Sequence, residues 1–105
     1  MVIKWTRLAR NDLLKFYQNA HPYTEDNVKK YIEELIQYTK ILKDFPNLGK
    51  NIFYIKDFEI KQLLFKKHRI IYYIQETKII ILTIIHTSRN INRILKTLKK
   101  IIKNR

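Results

Sequence analysis

The chain of 105 residues has the length of one domain, and its 46% hydrophobic and 12% aromatic residues suffice for a hydrophobic core. The absence of cysteine excludes disulfides and thiolate metal sites. A net charge of +13, from 22 Lys and Arg against 9 Asp and Glu, predicts an anionic partner such as nucleic acid, an anionic membrane or an acidic protein. No secretory signal pattern and no apolar run of roughly 18 residues occurs, so we expect a cytoplasmic protein without a membrane span.

Two helices are predicted in the first half of the chain, after a short strand at residues 2–5. Apolar residues recur at helical spacing over residues 9–20, and His21-Pro22 ends this helix because proline disfavours helical backbone in the residue before it. Thr24 is a good N-cap for a second helix, whose apolar face continues over residues 28–45. The short connection predicts that the two helices pack as an antiparallel hairpin.

The second half is predicted to form a sheet followed by a helix. Runs of β-branched and aromatic residues predict strands at residues 52–55, 60–65, 69–74 and 79–85. The four residues 75–78 are short enough for a hairpin turn, but no Asn-Gly pair fixes the register. The unbroken apolar run 79–82 indicates a central strand that is covered on both faces. Residues 91–102 show an amphipathic helical pattern with lysines on one side, typical of a C-terminal helix that covers the second face.

The fold class predicted from these elements is α+β. A short N-terminal strand and an α-helical hairpin pack on a twisted, mainly antiparallel sheet of about four strands, and a C-terminal helix follows. We expect residues 1–105 to form a single domain, with residues 96–105 as a basic helical tail extension.

A cluster of cationic residues flanks the last predicted hairpin. Its members are Lys61, Lys66, Lys67, His68 and Arg69 before the hairpin and His86 and Arg89, with Ser88 between them, after it. If the last two strands pair antiparallel, Arg69 and His86 fall at the same end of the sheet. Guanidinium groups there suit bidentate binding of phosphate or carboxylate. The alternative is that these are solvated strand ends, with Arg69 paired to a helix carboxylate such as Asp12 or Glu33 and His86 in a structural role.

Other kinds of site have little support in the sequence. The three histidines share no metal-ligand spacing, and no metal site is predicted. Ser88 lacks the glycine-flanked elbow of a hydrolase nucleophile. With Gly49 as the only glycine, the chain cannot build a glycine-rich phosphate loop, and we expect no cofactor.

The order and spacing of four segments resemble the RelE/ParE superfamily of toxins. The segments are LARNDL at residues 8–13, FPNLGK at 45–50, HRIIYYI at 68–74 and HTSRN at 86–90. They match the family's helix opening, its P-x-x-G-basic turn, its Y/H-R-I-x-Y strand and its H-x-x-R strand end, within a resemblance that covers residues 4–95. The resemblance implies the toxin of a type II toxin–antitoxin system, which inhibits growth and is held by a cognate acidic antitoxin in a hetero-oligomer.

The resemblance implies two activities and favours the first. ParE-like members poison DNA gyrase, and the segment at residues 84–92 is similar to theirs. RelE-like members are mRNA interferases that act in the ribosome, but Thr87 and Arg93 stand where those nucleases carry an arginine and a tyrosine. The alternative is a RelE/YoeB-like endoribonuclease in which Arg69 clamps phosphate and His86 transfers a proton. A second alternative is a non-toxic basic domain that binds nucleic acid.

In every variant of this hypothesis the cations form the binding surface. The residues predicted to contact the target or its phosphates are Lys61, Lys67, Arg69, Arg89 and Arg93. Arg69 and His86 are catalytic only if the protein is a nuclease.

Overall fold

The protein is described by a computed structural model that covers residues 1–18 and 25–105. The elements in chain order are β1 (Val2–Trp5), α1 (Arg7–Gln18), α2 (Glu25–Thr39), a first 3-10 turn (Lys40–Lys43), β2 (Lys50–Ile55), β3 (Phe58–Phe65), β4 (His68–Gln75), β5 (Lys78–His86), a second 3-10 turn (Ile91–Ile94) and α3 (Leu95–Lys103). The predicted α+β class and element order are confirmed. His21-Pro22 and Thr24, predicted to separate the two helices, lie outside the described residues. In the described ranges no helix is both long and apolar enough to cross a membrane.

The sheet has five strands in the order β1-β5-β4-β3-β2. Strands β2 to β5 form an antiparallel meander, whereas β1 pairs with β5 in parallel, with Val2 opposite Lys78. The predicted count of about four strands is therefore one short. The alternation of residues within β1 identifies a strand, but it carries no information about a partner so distant in sequence.

The three hairpins of the meander turn on two residues each. The first turn residue is Lys56, Lys66 or Glu76, with φ of 53°, 51° and 57° respectively. Tight hairpin turns need positive φ because it matches the twist of the strands, and glycine or asparagine usually supplies it. Lysine and glutamate carry no such signal, which is why the register could not be read from the sequence.

Both faces of the sheet are buried, as the apolar run in β5 predicts. The core under the α1–α2 hairpin includes Ala9, Leu35, Leu42, Leu63, Ile70, Tyr72, Ile79, Ile81 and Ile84. The core under α3 includes Ile55, Ile60, Ile71, Tyr73, Ile80, Leu82, Ile85, Leu98 and Ile102. Burying Leu98 and Ile102 stabilises the fold by about 1.5–3 kcal/mol for each side chain. The C-terminal helix therefore covers the second face of its own sheet.

The predicted apolar stripe of α2 is wrong at its C-terminal end. The sequence pattern extends the stripe to Phe45, but the helix tightens into the 3-10 turn at Lys40–Lys43, and Phe45 is 60% exposed. A 3-10 turn has 3.0 residues per turn instead of 3.6, so residues beyond it rotate away from the face that the α-helical spacing predicts.

Thr6 fixes the start of α1 against the sheet. Its hydroxyl accepts a hydrogen bond from the Ala9 N–H at 3.1 Å, as an N-cap does, and donates to the Leu82 carbonyl at 2.7 Å. A buried threonine thus satisfies one free donor of the helix and ties the helix to β5, which positions the next turn of α1 beside the end of that strand.

Candidate functional site at the end of the central strands

Strands β4 and β5 bring the two predicted cationic groups to the same end of the sheet. His68 lies opposite His86, and Arg69 lies opposite Ile85. The backbone N–H of Thr87 donates to the Lys67 carbonyl at 2.8 Å, and the Arg69 guanidinium donates to the Thr87 carbonyl at 2.6 Å. The predicted proximity of the two backbone segments is confirmed. The partner of Arg69 is this carbonyl and not the helix carboxylate of the alternative interpretation.

The side chains of Arg69 and His86 nevertheless leave the sheet on opposite faces. The His86 and His68 rings lie 5.4 Å apart, and the His68 ring lies 4.6 Å from Phe16 on the face that carries the helical hairpin. Arg69 pairs with Ile85, whose side chain belongs to the core under α3. Because successive residues of a strand point to opposite faces, the expectation of adjacent Arg69 and His86 side chains is corrected.

His68 belongs to a small aromatic cluster that sequence reasoning missed. The Tyr31 hydroxyl and His68 Nδ1 are 2.7 Å apart, and burial raises the pKa of Tyr31. The Lys66 ammonium lies 5.4 Å from the Tyr31 ring centroid and 3.0 Å from a Glu34 oxygen. In the sequence Tyr31 is one more residue on the apolar face of α2, so nothing there marks it as a partner of His68.

The hydrogen bonds of His86 determine which ring nitrogen carries the proton when the ring is neutral. Its Nδ1 accepts from the backbone N–H of Ser88 at 3.0 Å and lies 2.8 Å from the Ser88 hydroxyl. An amide N–H can only donate, so Nδ1 carries a lone pair and the proton of the neutral ring is on Nε2. The exposed ring therefore offers an N–H donor to an incoming group. Acting as a base through Nε2 would require the other tautomer and the loss of the bond to Ser88.

Lys61 lies apart from the other predicted cations. Lys61 is 5% exposed, forms an ion pair with Glu59 at 3.3 Å and bonds to the Asn51 amide oxygen at 2.5 Å. It lies three residues along β3 from Leu64, the residue opposite Arg69, which is about 10 Å away. The other four are Lys67, Arg89 and Arg93, which are exposed, and Arg69, which is half-buried.

The half-buried carboxyl group of Asp12 holds the end of β5 against α1. One carboxylate oxygen accepts from the Thr83 hydroxyl at 2.5 Å and from the Ile84 N–H at 2.9 Å. Burial raises the pKa of Asp12, while these two bonds and then the charges of Lys15 and Arg89 act against that rise. Arg89 is thus close enough to Asp12 for its positive charge to stabilise the ionised carboxylate.

The half-buried position of His68 predicts that acid destabilises the fold. Burial first, and the nearby His86 second, lower the pKa of His68 below its ordinary value of 6.5. The folded state then binds fewer protons than the unfolded state. The contribution of neutral His68 to the free energy of unfolding is therefore fully present above about pH 6.5 and is lost as the pH falls through the pKa of His68 in the folded state. Urea unfolding measured from about pH 7 to about pH 5 should show a falling free energy of unfolding, and His68→Gln should flatten it.

The variant is needed because Asp12 acts in the opposite sense: its raised pKa favours proton uptake by the folded state. Parallel curves for the wild type and His68→Gln would contradict the assignment to His68.

Comparison with known proteins identifies the family. Residues 3–91 match the sequence model of the ParE toxin of the type II toxin-antitoxin system parDE. The chain belongs to the ParE toxin family. A solved structure described as the chromosomal ParDE TA system from P. aeruginosa shares the fold, with a TM-score of 0.67 and 22% identity over 82% of this chain and 95% of that chain. A search of curated proteins gives no significant match.

The ParE family assignment confirms the prediction that the chain is the toxin of a type II toxin–antitoxin system. It also implies an antitoxin partner. The matched region contains the α1–α2 hairpin and all of the sheet except Val2, and it ends at residue 91, before α3 begins at Leu95.

Proposed function

We propose that this ParE-family toxin arrests growth by poisoning DNA gyrase. The observation that carries the proposal is the ParE family match over residues 3–91, since the ParE-like toxins that the chain resembles act on gyrase. Three exposed cations, Lys67 before β4 and Arg89 and Arg93 after β5, supply the contact surface for the gyrase–DNA complex.

The geometry gives less support to mRNA cleavage. A nuclease of this kind needs phosphate-binding and proton-transfer groups that converge on one phosphate. Arg69 is half-buried on the α3 face and bonded to the Thr87 carbonyl, whereas His86 lies on the other face with its Nδ1 occupied. Thr87 and Arg93 also replace the arginine and tyrosine of the RelE-like nucleases.

The antitoxin partner is acidic and folds over the apolar side chains that the toxin leaves exposed. Tyr38, Ile41, Phe45 and Leu48, at the end of α2 and after it, are 36%, 37%, 60% and 49% exposed. Covering such side chains offsets the ordering entropy of a disordered segment, and the net charge of +13 selects an acidic one. The complex is a hetero-oligomer of toxin and antitoxin.

Supercoiling of relaxed plasmid by purified gyrase tests the proposal. The toxin should inhibit supercoiling and accumulate cleaved DNA, and the antitoxin should reverse both effects. Replacing Arg89 and Arg93 together by Gln should raise the toxin concentration needed by about tenfold, because two exposed charges of the contact surface are lost. The control is Lys29→Gln with Lys30→Gln, which removes the same charge from an exposed part of α2 and should leave inhibition unchanged.

Normal supercoiling in the presence of a toxin that still arrests growth would reject gyrase as the target. Codon-phased cuts in translated mRNA, detected by primer extension and lost in His86→Ala, would then establish the endoribonuclease alternative. Growth that continues when the chain is expressed without an antitoxin would favour the non-toxic nucleic-acid-binding domain.

A further inference from the structure

The solvent side of α3 is a stripe of lysines. Lys96, Lys99, Lys100 and Lys103 recur at i, i+3, i+4 and i+7, which places them on one side of the helix, and all four are exposed. We call these four residues the lysine stripe. On the opposite side Leu98 is fully buried and Ile102 is 3% exposed. The helix therefore turns its apolar side to the sheet and its charges to water.

The charge of the lysine stripe is not neutralised within the described part of the chain. The two ion pairs among residues 1–18 and 25–105 join Lys61 to Glu59 and Lys66 to Glu34, and neither involves α3. The sequence from Thr77 to the C-terminal Arg105 contains no Asp or Glu. Like charges at these helical spacings repel one another, so the stripe costs the isolated helix stability. An anionic ligand would remove that repulsion.

We propose that the lysine stripe binds the phosphate backbone of double-stranded DNA without reading its sequence. The stripe extends about 10 Å along the helix axis from Lys96 to Lys103, a length over which duplex DNA presents about six phosphates. Lysine ammonium groups act as point charges on such phosphates, and contacts of this kind fix a protein on the duplex but carry no sequence information.

The chemistry of the exposed side favours duplex DNA over other anions. Besides the stripe, the exposed residues of α3 and the residues after it are Thr97, Asn104 and Arg105, with no apolar or aromatic side chain. A protein partner would need an apolar or aromatic centre on this surface, and single-stranded nucleic acid would need aromatic rings on which its bases stack. Insertion into a membrane needs a free apolar face, but that of α3 is buried in the protein core.

This inference goes beyond the proposed action on gyrase, since it concerns the toxin alone with DNA. The test of DNA binding contains no gyrase, so a negative result for DNA binding does not bear on the proposed action on gyrase, and the reverse also holds.

Fluorescence anisotropy of a labelled random-sequence DNA duplex measures the binding. The wild-type chain should bind with an affinity that falls steeply with salt. Replacing all four stripe lysines by Gln should weaken binding at low salt by about tenfold or more and reduce the slope of log K against log salt by about 2–4. The thermal midpoint of this variant should stay equal or rise, because the repulsion along α3 is removed.

A matched control removes the same charge elsewhere. Lys29, Lys30, Lys40 and Lys43 are exposed on α2 and the first 3-10 turn, and changing all four to Gln also lowers the net charge from +13 to about +9. This control should keep the wild-type affinity within about threefold. Should the stripe variant fail to fold, Lys99→Gln with Lys103→Gln against Lys29→Gln with Lys30→Gln makes the same comparison.

Several outcomes would overturn the proposal. Equal losses in the stripe variant and the control would assign the binding to net charge alone. The proposal also fails if the wild type binds no duplex at low salt, if it binds single strands more tightly than the duplex, or if it binds anionic lipid vesicles but no DNA.

Discussion

Asp12→Ala should destabilise the protein by about 1–3 kcal/mol, because it removes the acceptor of two hydrogen bonds that join α1 to β5. The Ile84 N–H and the Thr83 hydroxyl both donate to the same Asp12 oxygen. Alanine leaves the Ile84 N–H without a partner in a partly buried position, where water replaces the carboxylate poorly. Urea unfolding of the variant against the wild type gives the difference in free energy.

Asp12→Asn separates the role of the bonds from the role of the charge. Burial raises the pKa of Asp12, so the charge itself is disfavoured at this position. An asparagine oxygen in the same position can still accept from both the Ile84 N–H and the Thr83 hydroxyl. Asparagine should therefore retain most of the stability that alanine loses. Equal losses for the two variants would show that the negative charge, beside Lys15 and Arg89, is what matters.

Asp12 and Thr6 also show where sequence reasoning reaches its limit. Thr6 caps α1 and Asp12 lies in the middle of that helix, and the partners of both lie on β5, more than 70 positions later. The sequence offers Asp12 only as a possible ion-pair partner of Arg69, because charge is the one property that can be matched without coordinates. The actual partners of Asp12 are the Thr83 hydroxyl and the Ile84 backbone N–H. Every strand contains backbone N–H groups, so the sequence does not single this one out.

Elements that depend on local chemistry were predicted well. The four strands of the meander are dense in β-branched and aromatic residues, and the amphipathic pattern of the C-terminal helix showed both its buried side and its lysines. The fifth strand, β1, depends on pairing across the chain, and the face of each strand residue depends on register. Arg69 and His86 were therefore placed at the correct end of the sheet but not on their separate faces.

The same limit explains the misplaced lysine of the candidate site. Lys61 and Lys67 look alike in the sequence, since both are cations at or near the β3 strand. In the structure Lys61 is directed into a pocket of polar partners, Glu59 and Asn51, at a register irregularity between β2 and β3, whereas Lys67 is exposed in a turn. Which of the two can meet a phosphate follows from burial, and burial is a property of the assembled sheet.

The turn before β2 is held by Tyr72 in a way that leaves no space beside Gly49. The Tyr72 hydroxyl donates to the Pro46 carbonyl at 2.8 Å and accepts from the Gly49 N–H at 2.8 Å, so one buried phenol satisfies both ends of the P-x-x-G segment. A Cβ on residue 49 would lie 2.6 Å from Tyr72 Cε1 and Oη and 2.9 Å from the Gln62 carbonyl oxygen. The glycine is required here by close approach to a buried ring.

Gly49→Ala should therefore destabilise the protein by about 1–3 kcal/mol from overpacking. Tyr72→Phe should cost about 1–3 kcal/mol because it leaves the Gly49 N–H and the Pro46 carbonyl without their partner. Urea unfolding measures both, and Asn47→Ala, an exposed position in the same turn, is the control that should stay within about 0.5 kcal/mol of the wild type.

The double variant tests whether the two effects share one cause. Phenylalanine removes one of the atoms that a Cβ at residue 49 would meet, the Tyr72 oxygen, but keeps Cε1, so the alanine should cost less in the Tyr72→Phe background than in the wild type. Residues in direct contact show coupling of about 0.5–3 kcal/mol. Strictly additive losses would mean that the turn relaxes away from the ring when the methyl group is added, and that Gly49 is required for some reason other than its contact with Tyr72.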